Sequence, residues 1–93
     1  MSKLSVRVII EGRVQGVWFR GWMVERAMGL GLSGWVRNRR EGSVEAVFYG
    51  EQSKVNKMIE KSYQGPSAAS VARVNVKYEQ IIVQPSFKQL PTV

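Results

Sequence analysis

The chain has 93 residues, 44% of them hydrophobic, enough for one modest core in a single domain spanning 1–93. Its 14 Lys and Arg against 7 acids give a net charge of +7, which draws anions, either a small phosphorylated molecule or nucleic acid. There is no Cys, His or Asp, and all seven acids are Glu, which excludes disulfides, a histidine base, a cysteine nucleophile, a phosphoaspartate and Cys/His zinc sites.

No apolar run approaches the ~20 residues that span a bilayer. The first residues lead straight into a strand pattern, so no targeting segment is expected. The expectation is a soluble, cytoplasmic protein with no membrane association.

Residues 4–12 alternate, with Val6, Val8 and Ile10 on one face, and predict a strand. The loop Gly12-Arg13-Val14-Gln15-Gly16-Val17-Trp18-Phe19-Arg20 follows. A helix is expected over 21–30, with Met23, Ala27 and Leu30 as its core stripe and Gly31 as its C-terminal cap. The second strand is 34–38, with Trp35 expected in the core. Residues 39–42 form a hairpin loop. The third strand, 43–49, alternates Val44, Ala46 and Phe48 against Glu45 and Val47. Glu45 and Glu11 read as solvated strand residues. A second helix over 50–64 has Ser53 as a candidate N-cap and Val55, Met58, Ile59 and Ser62 facing inward. Gly65-Pro66-Ser67 breaks it, and 71–78 is a fourth strand. Residues 81–90 are apolar but interrupted by Pro85, so they offer a short edge strand at best.

The order β-α-β-β-α-β predicts an α+β fold, a ferredoxin-like sandwich with a mostly antiparallel sheet and two helices on one face.

The loop between the first strand and the first helix is a candidate anion site. Its glycines let consecutive backbone N–H groups converge, and the helix start adds unpaired N–H groups and about half a positive charge. Arg20 at the helix entrance is a planar fork suited to phosphate oxygens. The bland alternative is that Gly12 and Gly16 only shape a βα turn and Arg20 is a surface charge. A helical crossover makes the first two strands parallel, so their C-terminal ends share one sheet edge. Arg20 and Asn38 should therefore converge, unless Asn38 merely caps a strand end.

Residues 12–20, together with Gly34-Trp-Val-Arg-Asn-Arg-Arg-Glu-Gly-Ser-Val-Glu45, resemble the paired signatures of the acylphosphatase family. Gly65-Pro66, Ala69 and Val71 resemble that family's junction before the fourth strand. The resemblance covers about residues 4–80 and implies a ferredoxin-like fold. It further implies hydrolysis of acyl phosphates to carboxylate and inorganic phosphate. It assigns phosphoryl binding to Arg20 with the loop amides of Gln15, Gly16, Val17, Trp18 and Phe19, and water positioning to Asn38. No cofactor or metal is implied, and a monomer is expected. Two departures stand out: Glu41 where the hairpin often has Asp, and a poor match over 85–93, which argues against a fifth strand.

The missing residue types suit this chemistry. A carboxylate of parent pKa ~4 leaves without a general acid. Phosphoryl transfer of this kind is mostly positioning and charge stabilisation, which an arginine and a ring of N–H donors can supply.

Other phosphate motifs fail, since no lysine follows Gly16 as a Walker loop requires and Gly-x-x-x-Gly is not a dinucleotide fingerprint. The rival class is a non-enzymatic nucleic-acid-binding βαββαβ module. Its central-strand signature needs a leading basic residue and paired aromatics. Here the stretch is Glu41-Gly-Ser-Val-Glu-Ala-Val-Phe48, so nucleic acid is not the expected partner. A third reading, a carbamoyl-phosphate-handling domain of a larger maturation enzyme, would call for further domains. Trp18 is a candidate contact for the acyl group.

Overall fold

The computed structural model describes residues 2–93. The elements run β1 (Lys3–Arg13), α1 (Phe19–Gly29), β2 (Ser33–Asn38), β3 (Val44–Glu51), α2 (Gln52–Ser62), β4 (Ser70–Tyr78) and β5 (Phe87–Gln89). They build one five-stranded sheet in the order β4-β1-β3-β2-β5. Only β2 and β5 pair in parallel; the other ladders are antiparallel. This is the expected ferredoxin-like sandwich.

Alternation fixes which side chains meet the helices. Val6, Val8 and Ile10 from β1, Val36 from β2, and Val44, Ala46 and Phe48 from β3 are all fully buried. Phe19, Trp22, Met23 and Ala27 from α1 and Val55 and Met58 from α2 complete the same cluster. Each Val, Ile, Phe or Met among them contributes about 1.5–3 kcal/mol on leaving water. α1 closes as expected around Gly31. The Leu32 N–H donates to the Ala27 carbonyl at 3.0 Å and the Gly31 N–H to that of Met28 at 3.0 Å, a Schellman pair with Leu32 buried beneath it. No helix of the described residues is long and apolar enough to cross a membrane.

Several expectations need correction. α1 begins at Phe19, two residues early, so Arg20 lies inside its first turn. β3 runs through Gly50 to Glu51, because Leu4 and Lys3 of β1 pair with those residues. α2 therefore starts at Gln52, and Ser53 is helical instead of capping. Its hydroxyl donates to Glu51 at 3.1 Å.

Trp35 is not in the core. Gly34 and Val36 face the helices, so the intervening tryptophan points to the helix-free face, half-buried, with the Arg37 and Arg7 guanidiniums 4.6 and 5.9 Å from its ring centroid. Glu45 is not solvated either. It lies on the same face, 6% exposed, bonded to Arg7 at 2.6 Å and Arg37 at 2.8 Å. Burial alone would raise its pKa. The hydrogen bonds and charges of Arg37 and Arg7 outweigh that and hold the carboxyl below the usual carboxylate range.

A fifth strand does form. Phe87, 5% exposed, stacks on Phe48 with ring centroids 5.9 Å apart and anchors β5 to the sheet edge. Beyond it, the Leu90 N–H donates to Val36 at 2.8 Å and the Val93 N–H to Asn38 at 3.1 Å.

Candidate active site

Near the end of β1 a bulge between Glu11 and Gly12 shifts its register against β4 and releases the chain into the loop. Val14 is buried and pins the loop to the core. Gly16 (φ 74) and Trp18 (φ 65) are both left-handed, and Trp18 is the only non-glycine with positive φ among the described residues. A left-handed tryptophan costs about 1–2 kcal/mol, and strain of this kind concentrates at functional sites.

Trp18 is also the N-cap of α1, with no side-chain cap bond and no acid in the first turn. Helix starts usually satisfy their N–H groups with Ser, Thr, Asp or Asn. Here the backbone N–H groups of residues 15–21 find no backbone acceptor among the described residues. They remain available, with the helix's partial positive charge, for an anion.

A pocket of about 120 Å³ opens here, lined by Val14, Gly16, Trp18, Phe19, Arg20, Gly21, Asn38 and Gln89. A cavity holds a water from roughly 10–15 Å³ upward, so this pocket takes a small polyatomic group but no bulky ligand. Of the expected residues, Gly16, Trp18, Phe19, Arg20 and Asn38 line it. Gln15 and Val17 do not, although both lie in the loop. A larger depression of about 660 Å³, bordered by Lys3, Tyr49, Tyr78 and Ile82, sits at the other end of the sheet. No arginine and no helix start line it, so chemistry and not size marks the smaller pocket.

Arg20 and Asn38 reach the pocket by the expected route. β1 and β2 both pair antiparallel with β3 and hence run parallel to each other. Arg20 has no salt bridge among the described residues. Asn38 is 9% exposed, and its Oδ1 is buried without a hydrogen-bond partner among the described residues. A buried unpaired acceptor costs about 1–3 kcal/mol. Its side chain thus offers an acceptor that the fold does not use.

Two features escape sequence reasoning. Gln89 lines the pocket from β5, a strand that the sequence offers as a short edge at best. The Gln15 side chain leaves the loop and donates from Nε2 to the carbonyls of Arg39 and Ser43 at 2.7 and 2.9 Å. Glu11, by contrast, is solvated as expected, 3.3 Å from Arg73 with its side chain 44% exposed.

The Acylphosphatase family model matches residues 6–88. An acylphosphatase of Rhodospirillum rubrum is 48% identical over 93 residues, covering 100% of both chains. One from Albidiferax ferrireducens is 55% identical over 76 residues, covering 82% of this chain and 83% of its own. Among solved structures, an acylphosphatase from Coxiella burnetii superposes with a TM-score of 0.91 at 33% identity, covering 95% of this chain and 93% of that one.

Proposed function

This chain belongs to the acylphosphatase family, and from that premise we propose which of its groups carry the hydrolysis of acyl phosphates to carboxylate and inorganic phosphate. The phosphoryl group occupies the pocket beside α1. Backbone N–H groups of residues 15–19 and the Arg20 guanidinium take its oxygens. These donors stand in place before the substrate arrives, so charge gathering on the phosphoryl oxygens meets them without reorganisation. One such donor is worth about 10²–10³ in rate.

Asn38 Oδ1 accepts a hydrogen bond from the attacking water and turns an oxygen lone pair toward phosphorus. A new P–O bond forms as the bond between phosphorus and the acyl oxygen breaks. The carboxylate leaves with the bonding pair as a stable anion. The water's proton passes to a phosphoryl oxygen of the substrate, since a loose transition state asks little of a base. One observation carries the reading: Asn38, its buried Oδ1 unpartnered among the described residues, lines the same pocket as Arg20, which has no salt bridge among them.

The enzyme works without a metal in this reading, because phosphoryl charge is met by arginine and amides in a chain lacking His, Cys and Asp. It acts as a cytoplasmic monomer. The test is release of inorganic phosphate from acetyl phosphate, with and without a strong chelator. Hydrolysis undiminished by chelator is expected. Activity lost with chelator and restored by magnesium overturns the metal-free mechanism.

A further inference from the structure

We propose that a trough on the helix-free face of the sheet, lined by Arg7, Ile9, Arg39, Glu45, Asn75 and Lys77, is a second anion site. Its ligand is a compact polyanion, a small molecule carrying two or more phosphate or carboxylate groups. The inference stands apart from the phosphoryl-site reading, because the pocket beside α1 lies on the helix side and shares no lining residue with the trough.

Strand pairing builds the trough. Val6, Val8 and Ile10 face the helices, so Arg7 and Ile9 face the other way. Ile9 sits between Asn75 of β4 and Glu45 of β3 in one row across the sheet, and Arg7 pairs with Lys77 in the next. Arg39 reaches in from the turn between β2 and β3. The space is about 540 Å³ against about 120 Å³ for the pocket beside α1, and it is of the size usual for small-molecule sites.

Charge marks the trough for an anion. Arg7 and Lys77 are like charges directly opposite each other on one sheet face, an arrangement that weakens a ladder. Arg7 is answered by Glu45 at 2.6 Å and Glu79 at 3.4 Å. Glu45 has nothing left to offer, since Arg37 takes its other oxygen at 2.8 Å. Lys77 has no salt bridge among the described residues. Arg39 meets Glu41 only at 3.5 Å through Nε, and that carboxylate's side chain is 58% exposed. Lys77 and Arg39 are therefore left over once the neighbouring carboxylates are matched to Arg7 and Arg37.

A singly charged ion answers one of these two cations. Two anionic groups on one compact frame answer both, the second binding at the high effective concentration that the first confers. The Arg39 guanidinium suits a phosphate or a carboxylate equally, as a planar fork on two oxygens. Asn75 adds an uncharged donor, and Ile9 gives the trough an apolar floor. Glu45 and Glu79 interrupt the positive surface, which favours a small ligand over a nucleic-acid strand that would need a continuous basic track.

The test is a backbone-amide NMR titration of the whole chain with pyrophosphate and with citrate at low ionic strength. Saturable shifts are expected at Ile9, Asn75 and Lys77. Shifts at residues 16–20 report the pocket beside α1 separately, so failure of one site is read independently of the other. Lys77→Glu reverses a charge beside the ligand and should weaken trough binding about tenfold or more. It also sets an opposite charge across from Arg7, so the fold should not suffer, and turnover of acetyl phosphate should be unchanged. Arg20→Lys should leave the trough isotherm in place. A response to pyrophosphate alone assigns the site to phosphate groups, and a response to citrate alone assigns it to carboxylates. Shifts that climb without saturating, a Lys77→Glu isotherm that matches the wild type, or a response only to a single-stranded oligonucleotide overturns the site.

Discussion

Gln15 Nε2 donates to the backbone carbonyl of Arg39 across 2.7 Å, joining the β1–α1 loop to the residue that follows Asn38. The same nitrogen donates to Ser43 at 2.9 Å, and the Arg39 N–H donates to Ser43 at 2.9 Å. The loop and the strand end are thereby held in register by one side chain.

Removing that brace should harm catalysis more than stability. Gln15→Leu loses two hydrogen bonds, about 1–3 kcal/mol in all, and the chain should still fold. A loop displaced by ~1 Å from the Asn38 end can cost up to about 10² in rate. The expected outcome is a kcat loss of at least tenfold in a variant that melts cooperatively. Gln15→Glu should do no better, since an ionised carboxylate cannot donate to carbonyls. Wild-type kcat in Gln15→Leu would show that the brace does not reach the chemistry.

Arg20→Lys keeps a positive charge but loses the planar fork suited to meeting two phosphoryl oxygens at once. Turnover should fall by about 10² or more, and inhibition by free phosphate should weaken with it. Steady-state rates and phosphate inhibition measured on one preparation decide the matter. Near-normal turnover would remove Arg20 from the phosphate clamp.

Asn38→Ala separates two roles cleanly, because Asn38 Oδ1 has no partner among the described residues. A residue capping a strand end would cost about 1 kcal/mol when truncated. A water-positioning residue should cost turnover heavily and stability hardly at all. The expected result is an unchanged melting temperature, nearly unchanged phosphate inhibition, and kcat down by about 10² or more. A destabilised but active variant would return Asn38 to a structural role.

Periodicity and the handedness of crossovers made most of this architecture legible. Val6, Val8 and Ile10 mark β1, and the helical crossover that makes β1 and β2 parallel places Arg20 and Asn38 at one sheet edge. What stayed hidden was decided by contacts distant in sequence. Glu45 reads as a surface acid until Arg7, on the far side of the β1–β3 ladder, and Arg37, its direct β2 partner, close around it. Trp35 misleads because apolar character suggests the core, whereas the buried positions of Gly34 and Val36 force it to the other face. β5 has three residues; it exists through Phe87 packing and pairing with β2, neither of which its own sequence announces.

The Glu45 cluster makes stability depend on acid. Its folded pKa is lowered, so the ion pairs contribute fully above the unfolded pKa, near ~4.3, and are lost as pH falls through the folded value. Denaturant midpoints should therefore drop below pH ~4. Glu45→Gln leaves two arginines without their carboxylate. As both are about 28–29% exposed, water moderates the penalty to about 1–3 kcal/mol at pH 7. The variant's midpoint should fall less on acidification than that of the wild type. Parallel acid profiles would mean that another carboxyl carries the effect.

The rate profile should be flat where stability is flat. An amide does not titrate, so Asn38 supplies no limb between pH ~5 and ~9. Histidine, the usual source of one near pH ~6.5, is absent from the chain. The two glutamates with shifted pKa values both move away from neutrality. Glu45 is held down by Arg37 and Arg7 against the effect of burial. Glu41 is likewise lowered, its Ser43 hydrogen bonds and the Arg39 charge prevailing over desolvation. Neither is raised into the range where a general base would work. The kcat of saturated enzyme should thus stay nearly constant from pH ~5 to ~9. Any acid limb should follow protonation of the substrate's own phosphoryl group and move when the acyl phosphate is changed. Profiles for acetyl and benzoyl phosphate make that comparison. A limb fixed near neutrality for both would reveal a titrating enzyme group and remove the substrate's phosphoryl oxygen as the acceptor of the water's proton.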